Sequence, residues 1–270
     1  MVLVAVVVAL LPVAGLAAGP TLAPEALRGL LEQANEKFRQ ATRVVPEDPA
    51  AAKLLYQESI VRFEKIASAG NIRNGKLFYN LANAYLLQGD VGRAILNYRR
   101  AERLTPGDRN LQGNLDYARS QVRDSIPVPP QRRVLDTVLA WHNGLPILPR
   151  LAVFAIAFDL IWLLAALKLF KLVRFSLRLP VAMLAVVAVL CLGSLVVDEV
   201  GSRRANEGVI VAEQVVGRKG PDPVGYAPSF RAPLHAGVEL SIVEERPGWY
   251  LVRLRDDRET WLPASAIDRV

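Results

Sequence analysis

The chain has 270 residues, a net charge of +7 and a hydrophobic fraction of 52%, which is high for a soluble protein and requires apolar segments beyond an ordinary core. Its single cysteine excludes an intramolecular disulfide, and two histidines with one cysteine cannot supply a conventional zinc site. The positive charge is compatible with nucleic acid or an anionic membrane surface, and its distribution along the chain decides between them.

The first predicted element is a signal peptide at residues 1–17, within "MVLVAVVVALLPVAGLAA". This run is apolar, ends in small residues and precedes the first charged side chain, Glu25, as in a secretory signal. Cleavage after Ala17 would leave Gly15 and Ala17 at the small-residue positions. Because the usual basic residue near the start is missing, an uncleaved N-terminal anchor is the alternative.

Apolar residues at helical spacing predict five helices in the domain at 18–124. The stretch "VVPEDP" at 44–49 separates the first two, Gly89-Asp90 separates the third and fourth, and Pro106-Gly107 ends the fourth. The apolar residues that define the helices, in order, are Leu27, Leu31, Ala34 and Phe38, then Tyr56, Ile60, Phe63 and Ile66, then Phe78, Leu81 and Tyr85, then Ala94, Ile95, Tyr98 and Ala101, and finally Leu111, Leu115 and Ala118.

The third and fourth helices resemble a tetratricopeptide repeat, which combines bulky, small and proline positions at fixed spacing. Small residues at Ala82 and Ala94 allow the paired helices to approach closely, and Pro106 stops the second of them. The second helix echoes the fourth at an offset of 35 residues, which indicates an earlier, irregular repeat. The residues that match the repeat pattern are Phe78, Leu81, Ala82, Tyr85, Ala94, Tyr98 and Pro106.

The resemblance implies a peptide-binding or partner-binding site on the first helix of the repeat, which lines the concave groove in this family. Lys76, Tyr79, Asn80 and Asn83 lie on that helix. An asparagine amide offers both a donor and an acceptor, which suits a peptide backbone or a terminal carboxylate. The alternative is that Asn80 caps or bridges neighbouring helices.

Residues 125–149 are predicted to form a proline-rich linker and a short interfacial helix, with Trp141 at the membrane–water boundary. A transmembrane hairpin follows at 150–197, because two apolar blocks there approach the length that crosses about 30 Å of hydrocarbon. Four basic and no acidic residues in the loop 168–178 place that loop in the cytoplasm and the flanking domains in the periplasm.

Asp159 lies in the middle of the first predicted span, where an ionised carboxylate costs about 3 kcal/mol on insertion scales. We interpret it as an intramembrane polar contact with a span of another protein. The alternatives are a protonated carboxyl bonded to a backbone carbonyl, and a proton pathway. Cys191 in the second span is interpreted as a small apolar residue.

After a linker at 198–206, residues 207–270 predict a small barrel of short strands. The stretches "GRKGP", "GW" and "TWLPASAI" resemble bacterial SH3-like domains, and Trp249 and Trp261 are the candidates for a groove on the barrel. The sequence departs from this pattern at Gly217, where an apolar strand residue is usual, and at Thr260, where glycine often stands. The alternative for both tryptophans is that they are partly core.

Two further features lie outside the candidate sites. The run Arg99, Arg100 and Arg103 is predicted to be a solvated helix face, which an acidic lipid or partner would attract, and His235 is predicted to lie in a loop. The motifs of phosphate loops, serine hydrolases and zinc proteases are missing from the sequence, so we expect no catalytic residues, no metal and no cofactor.

The order of these parts resembles the BatE-type proteins of bacterial aerotolerance (Bat) operons, and the closest stretch is "LFYNLANAYLLQGDVGRAILNYRRAERLTPGD" followed by "NLDYARS". The fold class is thus a multi-domain membrane protein with an all-α tetratricopeptide domain, a two-helix transmembrane hairpin and a small all-β SH3-like barrel. The resemblance implies a location in the cytoplasmic membrane beside Bat-type von Willebrand-domain membrane proteins.

The expected function is therefore a non-enzymatic scaffold for other proteins, with no nucleic acid as partner because the folded domains face away from the cytoplasm. The alternatives are an envelope sensor or cell-wall binder whose barrel holds peptidoglycan, and a membrane enzyme or proton-coupled protein that uses Asp159.

Overall fold

The computed structural model describes residues 22–127, 147–173, 176–204 and 206–270. The predicted signal peptide at 1–17 and the predicted interfacial helix with Trp141 lie outside these residues. The described chain forms a helical domain, a pair of long apolar helices and a small antiparallel β domain.

The helical domain consists of five consecutive helices: α1 Pro24–Val44, α2 Pro49–Ala69, α3 Gly75–Gln88, α4 Val91–Leu104 and α5 Arg109–Ser120. Each of the last four begins at a side chain that accepts hydrogen bonds from backbone N–H groups of the first turn. These four capping residues are Asp48, Asn74, Asp90 and Asp108. The five predicted helices and the breaks between them are confirmed.

Neighbouring helices pack in chain order, which gives a repeat-like stack with one large core cluster and a smaller one between α1 and α2. The small residues Ala82 and Ala94 are fully buried, as expected where paired helices approach closely. Nearly all of the predicted core positions are buried or half-buried. The exception is Leu31, which is 39% exposed because α1 is the first described helix of the stack and packs mainly against α2.

Two further helices, α6 Ile147–Leu169 and α7 Arg178–Arg204, pack against each other and are long and apolar enough to cross a membrane. The apolar part of α7 covers Arg178–Val196. The sequence predicts a linker at 198–206, whereas α7 continues as a helix to Arg204 and the first strand follows almost directly.

The β domain contains a five-stranded antiparallel sheet in the order β6-β5-β4-β1-β7 and a two-stranded sheet of β2 and β3. The strands are β1 Glu207–Ile210, β2 Gln214–Val215, β3 Leu234–His235, β4 Glu239–Arg246, β5 Trp249–Leu254, β6 Glu259–Pro263 and β7 Ile267–Arg269, with a one-turn 3₁₀ helix at Ala264–Ala266. Alternate residues of β4 and β5 point into the core, namely Leu240, Ile242, Val252 and Leu254, so each strand has one buried face. His235, predicted to lie in a loop, is part of β3.

The two positions that depart from the SH3-like pattern lie against each other in the β domain. A Cβ atom at Gly217 would lie 2.5 Å from Oγ1 of Thr260. That hydroxyl donates to the carbonyl of Arg218 at 3.1 Å and lies 2.9 Å from the hydroxyl of Ser229. The buried threonine therefore requires a glycine at position 217, and the two departures compensate each other.

We expect Gly217→Ala to destabilise the β domain by about 1–3 kcal/mol, because the added methyl overlaps a buried, hydrogen-bonded hydroxyl. In a Thr260→Ala background the same change should cost much less, which a double-mutant cycle of denaturant unfolding would measure. Gly113→Ala is the control, since open space surrounds that position. An equal cost of Gly217→Ala in both backgrounds would contradict the compensation.

The helical and β domains pack directly against each other. Val209 of β1 is fully buried within the core of the helical domain. A Cβ atom at Gly92 of α4 would lie 2.8 Å from the carbonyl oxygen of Ile210, so glycine allows helix and strand to meet closely at this point. Asp124, beyond α5, accepts a hydrogen bond of 2.6 Å from the backbone N–H of His235.

Candidate partner-binding site

The predicted binding face of α3 contains a hydrogen-bonded network that joins three helices. Oδ1 of Asn83 accepts from the hydroxyl of Tyr98 at 2.6 Å and from Nδ2 of Asn114 at 3.1 Å. The same Nδ2 donates to the hydroxyl of Tyr79 at 2.9 Å. Burial and the nearby Tyr79 raise the pKa of Tyr98 above its usual range, so its hydroxyl remains a donor. The network fixes the orientation of Tyr79 and Asn83.

Asn83 forms the hydrogen bonds that bridge neighbouring helices. The sequence had suggested Asn80 for bridging, as the alternative to partner binding. Asn80 is half-buried and Lys76 is exposed, and neither side chain hydrogen-bonds to any other residue that the structure describes. The structure therefore brings Tyr79 and Asn83 together in a rigid network and leaves Lys76 and Asn80 available on the same helix.

One residue of this surface, Leu87, was not predicted from the sequence. It lies one turn beyond Asn83 on the same face of α3 and is 49% exposed. An exposed leucine next to polar groups is common on protein surfaces and carries little signal by itself. We call the surface formed by Lys76, Tyr79, Asn80, Asn83 and Leu87 the α3 face.

The arginine run of α4 is a solvated face only in part: Arg103 is exposed, whereas the β domain covers Arg99. Arg99 pairs with Glu207 at 2.6 Å and with Glu239 at 3.4 Å, both in the β domain. Arg103 donates to the carbonyl of Val270 at 2.8 Å. The β domain covers this side of α4, and the acidic residues that meet it lie more than a hundred positions away in the sequence.

Glu239 is the centre of this contact between the two domains. Its side chain is 11% exposed and receives hydrogen bonds from Arg119 of 2.7 and 3.1 Å, while Arg255 lies 2.7 Å away. Burial opposes ionisation of Glu239, but the hydrogen bonds from Arg119 and the charges of Arg119, Arg255 and Arg99 outweigh burial and lower its pKa. We call Arg99, Arg119, Glu207, Glu239 and Arg255 the interdomain charge cluster.

The two tryptophans of the β domain do not form an open groove. Trp261 is 7% exposed, and the guanidinium of Arg246 lies 4.9 Å from the centre of its ring. Trp249 is half-buried and is paired across the sheet with Pro263 and Arg246. Trp261 is therefore mainly a core residue, which is the alternative that the sequence left open.

Asp159 lies on the outer surface of the helix pair. The contact between α6 and α7 buries Arg150, Ala157, Cys191 and Ser194, and Nη1 of Arg150 donates to Oγ of Ser194 at 2.6 Å. Asp159 is exposed and forms no hydrogen bond or ion pair with any described residue. The hairpin itself thus leaves this carboxyl without a partner from the described chain, and the burial of Cys191 fits a small apolar residue.

No group of three or more histidine, cysteine, aspartate or glutamate residues within the described ranges is placed to hold a metal ion. The chemistry of the described surfaces is that of hydrogen bonding, ion pairing and apolar contact. No protein-family model matches the chain, and no curated protein matches it either.

Proposed function

We propose that the protein is a non-enzymatic scaffold that two membrane-spanning helices hold in the bacterial cytoplasmic membrane and that binds partner proteins. In this proposal the helical domain is a tetratricopeptide-repeat domain, the β domain is SH3-like, both are periplasmic, and the loop 168–178 is cytoplasmic. The α3 face carries the argument, because rigid polar groups beside an exposed leucine suit a protein partner.

The nature of the α3 face favours a peptide or protein over a small substrate. Lys76 supplies a cation, Asn80 supplies an amide that no described residue uses, and Leu87 supplies apolar area. The network around Asn83 holds this surface in one conformation, which lowers the entropic cost of binding. Asp159 extends the proposal into the membrane, where a polar contact with a span of another protein would satisfy its carboxyl.

The partner class rests on the resemblance to BatE-type proteins. On that basis we propose von Willebrand-domain membrane proteins of the Bat type, within an aerotolerance or stress-tolerance complex. One membrane anchor that carries two binding modules raises the effective concentration of each at a shared target.

A photoreactive residue at Leu87 of the full chain, in membranes of the native host, tests the binding function. We expect one discrete crosslinked partner, and we expect the pair of changes Lys76→Glu and Asn80→Ala to reduce its yield at least tenfold, because they remove the cation and the amide of the α3 face. Mass spectrometry of the adduct names the partner.

A photoreactive residue at Leu54 is the matched control, since this leucine is 70% exposed on α2. The same adduct from both positions, or an adduct at Leu87 that the double change leaves intact, would count against the α3 face as a specific site. Recovery of murein fragments instead of a protein would favour the cell-wall-binding alternative.

A further inference from the structure

A cleft lies on the side of α3 opposite the α3 face, between the helical domain and residues 268–270. Its volume is about 710 Å³. Leu81 contributes to the wall of this cleft, whereas Asn83 belongs to the α3 face. Because residues two positions apart in a helix are separated by about 200° around the helix axis, these two side chains point in nearly opposite directions. The cleft is thus separate from the α3 face. We call it the arginine cleft. Its lining includes the apolar or amide side chains Phe78, Leu81, Leu96, Asn97 and Leu104, five arginines (Arg73, Arg93, Arg100, Arg103 and Arg269) and two carboxylates (Glu64 and Asp268), so positive charge is in excess.

Arg100 is one of two positive groups of this cleft, with Arg73, that form no ion pair with a described residue. Arg100 donates a hydrogen bond of 2.7 Å to the backbone carbonyl of Arg269. Burial lowers the pKa of Arg100, the charge of Asp268 opposes that change, and the charges of Arg73 and Arg103 add to it. A carboxylate placed here would relieve the repulsion between these cations.

The other arginines of the α4 run differ from Arg100 in this respect. Arg99 has Glu102, Glu207 and Glu239 as partners, and Arg103 has Glu207 at 3.3 Å. Acidic residues of the β domain therefore neutralise Arg99 and Arg103, whereas Arg100 contributes an excess positive charge to the arginine cleft.

The cleft also has an apolar part and a buried polar atom without a donor. Phe78, Leu81 and Leu96 form apolar wall, and Leu104 at the rim is 43% exposed. Asn97 is 2% exposed, and its Nδ2 donates to the carbonyl of Arg93 at 2.9 Å. That carbonyl can only accept, so the amide orientation is fixed and Oδ1 is left with no donor in the described structure.

We propose that the arginine cleft binds an extended acidic peptide segment of a partner protein, with a carboxylate on Arg100 and Arg73 and an apolar side chain against Leu104. This proposal rests on the proposed function as a binding scaffold and names a second site for it. A peptide supplies both a carboxylate for the arginines and an apolar side chain for Leu104. A free phosphate supplies acceptors for the arginines and little else.

The experiment uses the full chain in detergent micelles and a fluorescein-labelled octapeptide of sequence DLELDFEL, followed by fluorescence anisotropy. We expect saturable binding that weakens as salt concentration rises, and at least tenfold weaker binding of the neutral peptide NLQLNFQL. Leu104→Asp and Arg100→Gln should each weaken binding of the acidic peptide at least tenfold. Leu104→Asp is the more decisive variant, because this exposed side chain contributes little to folding.

Leu54→Asp is the control, because it places the same charge on an exposed leucine of α2 that belongs neither to the arginine cleft nor to the α3 face. Leu87→Asp is a further variant, which tests the α3 face. Binding that survives Leu104→Asp would overturn the arginine cleft as the site, and loss on Leu87→Asp alone would assign the peptide to the α3 face. Equal competition by millimolar inorganic phosphate, or no saturable binding, would also overturn the proposal. Crosslinking from Leu87 is a separate experiment. A crosslinked partner without peptide binding in the cleft would reject the arginine cleft as a site and leave the proposed scaffold function intact.

Discussion

Glu239→Gln is expected to separate the β domain from the helical domain. The neutral amide keeps the size of the side chain but removes the charge that Arg99, Arg119 and Arg255 share. Among the described residues, the exposed Asp116 is then the remaining anionic partner of Arg119, at 3.2 Å. Truncating one partner of a buried, hydrogen-bonded charge pair costs about 2–5 kcal/mol, which is enough to open a contact between domains.

Distances between spin labels at Lys53 and Val243, both exposed, measure this separation in a Cys191→Ala background. The parent protein should give one narrow distance distribution, and Glu239→Gln should give a broad one at longer distance. Glu244→Gln is the control, because Glu244 lies in the same strand but pairs with Arg246 on the exposed surface. A narrow, unshifted distribution for Glu239→Gln would contradict a role of the interdomain charge cluster in docking.

Docking of the β domain on the helical domain is expected to weaken as pH falls. The pKa of Glu239 is lower in the folded protein than the ordinary glutamate value, so its charge stabilises the packed state at pH above the unfolded value. This stabilisation is lost as pH falls through the lowered pKa in the folded state. Acidification should therefore broaden the distance distribution of the parent protein, while Glu239→Gln should respond much less over the same acidic range.

The elements of the fold were predictable where the determinants are local. The apolar spacing around Phe63 and Tyr98 defines helices without knowledge of the rest of the chain, and the alternation of Leu240 and Ile242 defines a strand in the same way. Asp90 and Asp108 mark helix starts because each capping side chain bonds to a backbone N–H two or three residues ahead.

The contact between the domains could not be predicted, because it depends on partners distant in the sequence. Arg99 and Glu207 are 108 positions apart, and an arginine on a helix surface has the same local pattern whether it meets water or a second domain. The arginine cleft was missed for the same reason, since it exists only where α4 meets residues 268–270.

The predicted binding site on α3 was predictable in part, because it depends on both local and distant residues. The repeat pattern identified the helix that carries Tyr79 and Asn83, and the local spacing places both on one face. It could not distinguish Asn83, which bridges three helices through Tyr98 and Asn114, from Asn80, which does not. That distinction requires the packing of α4 and α5 against α3.

Tyr98→Ala is expected to destabilise the helical domain by about 3–5 kcal/mol, because it empties a fully buried aromatic position between α3 and α4. Tyr98→Phe should cost only about 1 kcal/mol, since Oδ1 of Asn83 loses one donor but keeps Nδ2 of Asn114. Denaturant unfolding of the full chain, followed by hydrogen exchange of α3–α5, measures both values. Tyr117→Ala is the matched control, because this tyrosine is 59% exposed on α5.

The comparison between the two Tyr98 variants separates packing from positioning. If the network fixes Asn83 for a partner, Tyr98→Phe should reduce crosslinking from Leu87 by more than its small effect on stability would cause, since only the hydrogen bond from Asn114 then holds the amide of Asn83. If Tyr98→Phe leaves crosslinking at the parent level while Tyr98→Ala removes it, the hydroxyl contributes only to the fold. The α3 face would then depend on Lys76, Asn80 and Leu87, the residues whose side chains reach outward without help from the network.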